Sequence, residues 1–142
     1  DFTDEQIMEA VRDAQLESFV SSHPEGLDFK LSQGGSNVSG GQKQRIQIAR
    51  ALLKKATIFL FDDSFSALDF MTESKIRTAI KDKLAPRTVF VVTQRVTGAM
   101  NSDKIIVMDN GKVVGIGKHE ELLQNCSVYN EIFISQSGRS FL

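Results

Sequence analysis

The sequence predicts an α/β domain with a mostly parallel sheet. Two runs, Ile58 to Phe61 and Thr88 to Val92, are rich in apolar and β-branched residues and do not alternate with polar ones. Such runs are typical of strands that are buried on both faces. Residues 71–84 lie between them and have the residue spacing of a helix. Strand, helix and strand in this order form the unit that connects parallel neighbours in a sheet.

The front part of the chain is predicted to be helical. Thr3 and Gln6 have the spacing of a capping box, which predicts that a helix starts there. Residues 23–26, with the sequence His-Pro-Glu-Gly, interrupt the helical pattern and begin a loop that lasts to Val38. The helices predicted in this part cover about residues 4–16, 18–22 and 39–53.

The last part of the chain is predicted to contain a hairpin and two helices. Strands over 104–108 and 113–116 are joined by Asp109-Asn110-Gly111, and an Asn-Gly pair favours a tight hairpin turn. Short helices are expected over 120–124 and 128–135. The change from helical to mixed character predicts a boundary between residues 39 and 53.

The composition is that of a globular domain. The chain has 142 residues, of which 41% are hydrophobic, and a formal net charge of −1, so nucleic acid is not expected as a partner. The single cysteine, Cys126, excludes an internal disulfide framework. The first residue is Asp1 rather than methionine, and a helix-start pattern follows it at once, so we expect a piece of a longer protein.

A glycine pair at the start of the third predicted helix favours phosphate binding. The sequence there is Ser39-Gly40-Gly41-Gln42. Glycines let an anion approach the backbone closely, and the unpaired amides and the dipole of a helix start attract it. The alternative is that Ser39 and Gln42 only cap the helix, and both interpretations can hold together.

Two carboxylates follow the first predicted strand. Asp62 and Asp63 lie where ligands collect in α/β sheets, beyond the carboxyl end of a strand. Mg²⁺ prefers oxygen ligands and usually keeps several waters. We expect Asp62 to hold Mg²⁺ through water and Asp63 to orient an attacking water. The alternative is an acidic turn that caps the next element.

Together these segments resemble the motifs of ATP-binding cassette proteins. Residues 38–42 are similar to the signature motif, 58–62 to the Walker B strand, and Ser66-Ala67-Leu68-Asp69 to the D-loop. Gln94 falls at the end of the switch strand, and 117–123 is similar to the tail of exporter-type cassettes.

The resemblance implies a fold, cofactors and partners. The fold is a partial P-loop NTPase core of the RecA-like type, residues 51–142, preceded by part of the helical subdomain, residues 1–50. The cofactors are ATP and Mg²⁺. The partners are a second cassette, whose ATP the signature motif would complete, and the transmembrane domains of an exporter. The location implied is the cytoplasmic face of the cell membrane.

Three departures from the family pattern accompany the resemblance. No Gly-x-x-x-x-Gly-Lys-Ser/Thr loop, the Walker A motif, occurs in the sequence. Asp63 stands where the family usually has a catalytic glutamate, and Gln94 where it usually has a histidine. A carboxylate drawn back by about 1 Å can lower a rate about 100-fold, and an amide cannot carry the proton of an imidazole.

These departures predict a weakened site, with Asp63 and Gln94 in the catalytic positions, beside an intact signature motif. That combination resembles one subunit of a heterodimeric multidrug or peptide exporter, whose second cassette is a different chain. One alternative is a cassette ATPase that acts on DNA or the ribosome instead of transporting, which the exporter-like tail disfavours. Another is a regulatory half that holds nucleotide without hydrolysing it.

Overall fold

The structure is a computed structural model, and it describes residues 2–138. It divides into two compact units, one up to Val92 and one from Thr93, and each is described by itself. The first unit contains helices α1 to α4, strands β1 and β2, and two short 3-10 helices. Their bounds are α1 Asp4–Asp13, α2 Glu17–Ser21, the 3-10 helices Gly26–Asp28 and Gln33–Gly35, α3 Gly40–Leu52, β1 Ile58–Asp62, α4 Phe70–Leu84 and β2 Thr88–Val92.

A parallel strand pair forms the sheet of the first unit. β1 and β2 run parallel in a register that pairs Ile58 with Thr88 and Asp62 with Val92. Helix α4 connects them, as the sequence predicts. One face of this pair packs on the core formed by α1, α3 and α4, where Ile48 and Ile76 are almost completely buried. The predicted α/β class with a parallel sheet is therefore confirmed.

The prediction that β1 is buried on both faces is wrong within residues 2–138. Phe59 and Phe61 are 5% and 3% exposed, whereas Ile58 and Leu60 are 60% and 67% exposed. The helices of this unit bury one face of the pair, and no described residue buries the other. An apolar run indicates that both faces are apolar, but it does not show which covering layers the chain itself supplies.

Local capping signals place the helix starts correctly. The Thr3–Gln6 capping box is present, and α1 begins at Asp4. It ends at Asp13, before the predicted Leu16, because Gln15 adopts a left-handed φ of 57°. The Leu16 N–H then bonds the Val11 carbonyl at 2.8 Å.

The second unit contains a hairpin covered by helices. Its elements are α5 Val96–Ala99, β3 Ile105–Asp109, β4 Lys112–Gly117, α6 His119–Asn125 and α7 Ser127–Ser137. Asn110 and Gly111 have φ values of 47° and 75°, as a two-residue turn of the predicted kind requires. β3 and β4 are antiparallel and pack, through Ile105 and Val107, on Leu122 and Tyr129. The sequence did not predict α5.

The sequence predicts a subdomain boundary at residue 50, whereas the two compact units of the structure divide between Val92 and Thr93. The two divisions are of different kinds, and the boundary at residue 50 stays a prediction. In this structure α1 and α3 share one core with β1 and α4.

Asp69 is expected to stabilise α4 by capping it. Its Oδ1 accepts a hydrogen bond from the Thr72 N–H at 3.0 Å. Asp69→Ala removes this acceptor and should lower the melting temperature of this chain. Asp69→Asn keeps an acceptor and should retain most of the stability of the wild type at pH 7. Hydrogen bonds from the Thr72 side chain and backbone lower the pKa of Asp69. The charged contribution is therefore present above the unfolded pKa of about 3.9, and it is lost as the pH falls through the lower folded value.

Thermal unfolding followed by circular dichroism at pH 7 and pH 3 tests this. The difference in melting temperature between wild type and Asp69→Asn should be smaller at pH 3 than at pH 7, because the contribution of the charged Asp69 is lost as the pH falls. An Asp69→Ala variant that melts with the wild type would contradict the capping role.

Candidate functional site

The Ser39–Gln42 segment begins helix α3 with a complete capping box. The Ser39 hydroxyl accepts the Gln42 N–H at 3.2 Å, and the Gln42 side chain accepts the Ser39 N–H at 2.8 Å. Gly40 and Gly41 occupy the first two helical positions, and within residues 2–138 no acceptor is found for their N–H groups. The cap therefore leaves these amides available, and the capping and anion-binding interpretations are compatible.

The two glycines differ in what surrounds them. A Cβ added to Gly40 would lie 3.7 Å from the Ala67 Cβ, which is an ordinary contact. A Cβ added to Gly41 would lie 3.1 Å from the Ala67 carbonyl oxygen, which is tighter than side chains normally tolerate. Packing within the chain thus explains the glycine at 41 and leaves the glycine at 40 unexplained.

Asp62 and Asp63 lie exposed at the carboxyl end of β1, where the sequence places them. The Asp63 N–H donates to the Val92 carbonyl at 3.1 Å, continuing the pairing with β2 by one residue. Asp63 has a left-handed φ of 47°. Aspartate tolerates this region better than most residues, and surrounding contacts must hold it there.

The D-loop segment leads from these acids into α4. Leu68 is buried at 6% exposure, and Asp69 caps α4. Phe65, directly before the D-loop, is 3% exposed and packs under the Arg77 guanidinium, 4.4 Å from its ring centre. Arg77 in turn pairs with the buried Glu73 at 2.8 Å. The segment is thus fixed from below while Ser66 and Ala67 stay exposed.

Gln44 joins the signature helix to the D-loop. Its amide nitrogen donates to the Asp63 carbonyl at 3.2 Å and to the Ser66 hydroxyl at 2.9 Å. Its amide oxygen accepts the Ala67 N–H at 2.9 Å. The sequence analysis did not identify Gln44. The available signal was its position three and four residues after Gly41 and Gly40, which places it on their side of the helix.

Arg45 anchors the same helix on another side. Its Nε donates to the Gly41 carbonyl at 3.3 Å, and its guanidinium also donates to the Gln15 carbonyl at the end of α1. The first turn of α3 is therefore held by α1 as well as by the D-loop.

The loop before the signature helix is ordered by its own side chains. Asn37 accepts the Ser32 N–H at 2.9 Å and donates to the Lys30 carbonyl at 3.0 Å. Leu27 and Leu31 are 39% and 47% exposed. The loop thus presents apolar side chains on a fixed backbone.

Gln94 lies in the second unit and its side chain is exposed. Its carbonyl accepts a hydrogen bond from the Gln136 side chain at 2.6 Å, and the Gln136 oxygen accepts the Val96 N–H at 2.9 Å. Gln136 on α7, which the sequence analysis did not single out, therefore fixes the backbone beside Gln94. The role of Gln94 stays a prediction.

The magnesium role of Asp62 stays a prediction, and the surroundings of Asp62 fit a hydrated ion better than an all-protein cage. Within residues 2–138, no group of three or more His, Cys, Asp or Glu side chains converges on a metal position. One or two exposed carboxylate oxygens fit Mg²⁺, which usually keeps several of its waters. In the same residues no helix has the length and apolar character needed to cross a membrane.

Comparison with known proteins identifies the family of this arrangement. The family model described as ABC transporter matches residues 2–66, which include the signature helix, β1 and the acids that follow it. The chain also aligns over 95% of its length, at 45% identity, with an uncharacterized ABC transporter ATP-binding protein of Mycobacterium tuberculosis. The chain belongs to the ATP-binding domains of ABC transporters.

Other ABC proteins agree with this assignment. An ATP-dependent lipid A-core flippase of Francisella tularensis is 40% identical over 96% of the chain. The solved structure of a bacterial Atm1-family ABC exporter with ATP bound superposes with a TM-score of 0.93 at 32% identity, covering 98% of the chain and 24% of the exporter chain. The chain spans 23% of the Mycobacterium protein and 22% of the flippase.

Proposed function

We propose that this chain is part of the ATPase domain of an exporter and that its signature helix completes an ATP site on a second cassette. The observation that carries this proposal is the pair of available N–H groups at Gly40 and Gly41, with a glycine at 40 that packing within the chain does not require. The comparisons with a flippase and an ATP-bound exporter support the transport class. The location is then the cytoplasmic face of the cell membrane.

The signature segment would act as a ready-made anion site. The start of a helix carries about half a positive charge, and the N–H groups of Gly40 and Gly41 point the same way as the dipole. The Ser39 oxygen already accepts the Gln42 N–H, so its own proton remains free to donate to a phosphate oxygen. Three donors thus converge on the γ-phosphate of a nucleotide held by the partner.

The acids at the end of β1 would serve the nucleotide of this chain. Asp62 would hold Mg²⁺ through water, and the bound ion would neutralise phosphate charge. Asp63 would orient the attacking water. Its backbone is fixed by Val92 and Gln44, so the short side chain cannot be extended by a shift of the loop.

The partner is proposed to be a different subunit. Asp63 and Gln94 replace a glutamate and a histidine of the family pattern, whereas Ser39–Gln42 retains it. A chain with an intact signature and weakened acids suits an asymmetric pair, in which it completes the competent site and carries the slow one. Its ordered loop, with Leu27 and Leu31 outward, would face the transmembrane domains.

Cysteine cross-linking tests the contact between the two cassettes. In the full-length assembly, Gly40→Cys should cross-link to a cysteine in the Walker A loop of the partner when ATP is trapped, and not without nucleotide. The fold of this chain should tolerate the substitution, because its Cβ makes an ordinary contact with Ala67, and the cross-link reports the proximity of the two segments without requiring hydrolysis. Native Cys126 is buried and gives little background.

Arg50→Cys is the matched control, since Arg50 is exposed on the same helix about 15 Å further along. Cross-linking that ignores nucleotide, or that Arg50→Cys gives equally, would overturn the proposed function.

A further inference from the structure

We propose that Gln44 is a positioning residue that couples the signature helix to the acids at the end of β1. The inference rests on the proposed function, in which these two segments serve different ATP molecules. Gln44 is on neither the phosphate-binding turn nor the acidic strand end. It contacts both sides through one side chain.

Both polar atoms of the Gln44 amide are engaged in hydrogen bonds. Its oxygen accepts from Ala67, and its nitrogen uses both hydrogens, one on the Asp63 carbonyl and one on the Ser66 hydroxyl. An amide is the side-chain group that can supply one acceptor and two donors at this spacing. A carboxylate of the same shape could accept from the Ala67 N–H and from the Ser66 hydroxyl, but it would have no donor for the Asp63 carbonyl.

Asp63 is the residue that this arrangement constrains most. Its N–H is held by Val92, and its carbonyl accepts from Gln44 and, at 3.1 Å, from the Ser66 hydroxyl. These bonds flank a left-handed φ of 47° that an aspartate adopts only when its surroundings hold it. The direction of the Asp63 side chain therefore depends on Gln44.

The other end of the coupling is the glycine turn. Gln44 lies one helical turn after Gly40 and Gly41 on a helix whose first turn packs against Ala67. A displacement of this turn when a nucleotide is gripped would move Gln44, and Gln44 would transmit it to Asp63 and the D-loop. Contiguous hydrogen bonds of this kind can carry coupling between two sites.

The first test is hydrogen–deuterium exchange in the full-length assembly. The Ala67 N–H should exchange faster in Gln44→Ala and stay protected in Gln44→Glu, which retains the acceptor. The buried amides of Ile48 and Ala49 on the same helix should be unchanged in both variants, which separates a local effect from a loss of folding. Unchanged exchange at Ala67 in Gln44→Ala would overturn the inference.

The second test is ATP turnover with a double-mutant cycle. With the ATP site of the partner inactivated, Gln44→Ala and Gln44→Glu should each lower kcat at the Asp63 site about tenfold, because both lose the donor to the Asp63 carbonyl. Ser66→Ala should cost less. The Gln44→Ala/Ser66→Ala double variant should lose less than the product of the two single losses, because the Gln44–Ser66 bond is lost in both single variants, whereas the Ser66–Asp63 bond is lost only with Ser66. A double variant whose loss is the product of the two single losses would overturn the inference.

The two proposals fail separately. If Gly40→Cys cross-links to the partner but the Gln44 variants behave as the wild type, only the coupling role falls. If the nucleotide-dependent cross-link never forms, the proposed function falls, whatever Gln44 does to the exchange of Ala67.

Discussion

Replacing Asp63 by glutamate together with Gln94 by histidine is expected to raise ATP turnover about 100-fold at the site that we propose to be weakened in the full-length assembly. The reason lies in the fixed backbone of Asp63, which Val92 holds on one side and Gln44 on the other. An added methylene therefore carries the carboxylate outward by about 1 Å, toward the attacking water, instead of being absorbed by the loop. A histidine at 94 adds a group that can carry a proton near neutral pH.

The measurement is hydrolysis at this site alone, with the ATP site of the partner inactivated. The matched control is Asp63→Asn with Gln94→His, which has the size of the native acid without its charge and should not gain turnover. Hydrolysis that stays at the wild-type level in the Glu/His variant would show that another feature limits this site.

Asp63→Glu by itself should slightly destabilise the chain. Asp63 has a left-handed φ of 47°, and aspartate occupies this region more readily than glutamate because its short side chain bonds locally. The gain in turnover is thus expected together with a lower melting temperature of Asp63→Glu, an exchange of stability for activity that is common at functional sites. A melting temperature equal to that of wild type would indicate that the loop relaxes around the longer acid.

Local signals in the sequence predicted the parts of the fold that local chemistry determines. The two capping boxes, at Thr3 and at Ser39, place helix starts to within a residue. The Asn110-Gly111 pair predicts the hairpin turn because both positions need positive φ. Each of these features depends on residues within four positions of one another.

The parallel pairing of β1 and β2 was predicted, but side-chain contacts and burial that depend on distant residues were not. Gln44 contacts residues 19 to 23 positions away, and no periodicity in the sequence records that distance. The one-sided burial of β1 was missed for a related reason, since Leu60 and Phe61 look alike in the sequence and differ only in which neighbours the fold provides. Nothing in the sequence distinguishes Gly40 from Gly41, whereas in the structure only a Cβ at position 41 would lie unusually close to the Ala67 carbonyl oxygen.

Because the two glycines differ in their surroundings, replacing each by alanine separates the effect on packing within this chain from the effect on function in the assembly. Gly41→Ala should be less stable than Gly40→Ala, because its Cβ would lie 3.1 Å from the Ala67 carbonyl oxygen, a backbone atom that must shift to accommodate it. Gly40→Ala should leave the melting temperature unchanged or slightly raise it, since alanine favours helix and its Cβ lies 3.7 Å from Ala67. Thermal unfolding of both variants measures this difference.

In the full-length assembly, by contrast, Gly40→Ala should impair ATP hydrolysis although it leaves the stability of this chain unchanged. A methyl group there would stand between the exposed first turn and a phosphate, and a displacement of about 1 Å is expected to lower hydrolysis at the partner's site about 100-fold. A chain that is as stable as wild type but fails in the assembly locates the need for this glycine outside its own fold. Gly40→Ala that keeps full hydrolysis would contradict a phosphate held at this turn, and Gly40→Ala that unfolds as easily as Gly41→Ala would contradict the packing difference between the two glycines.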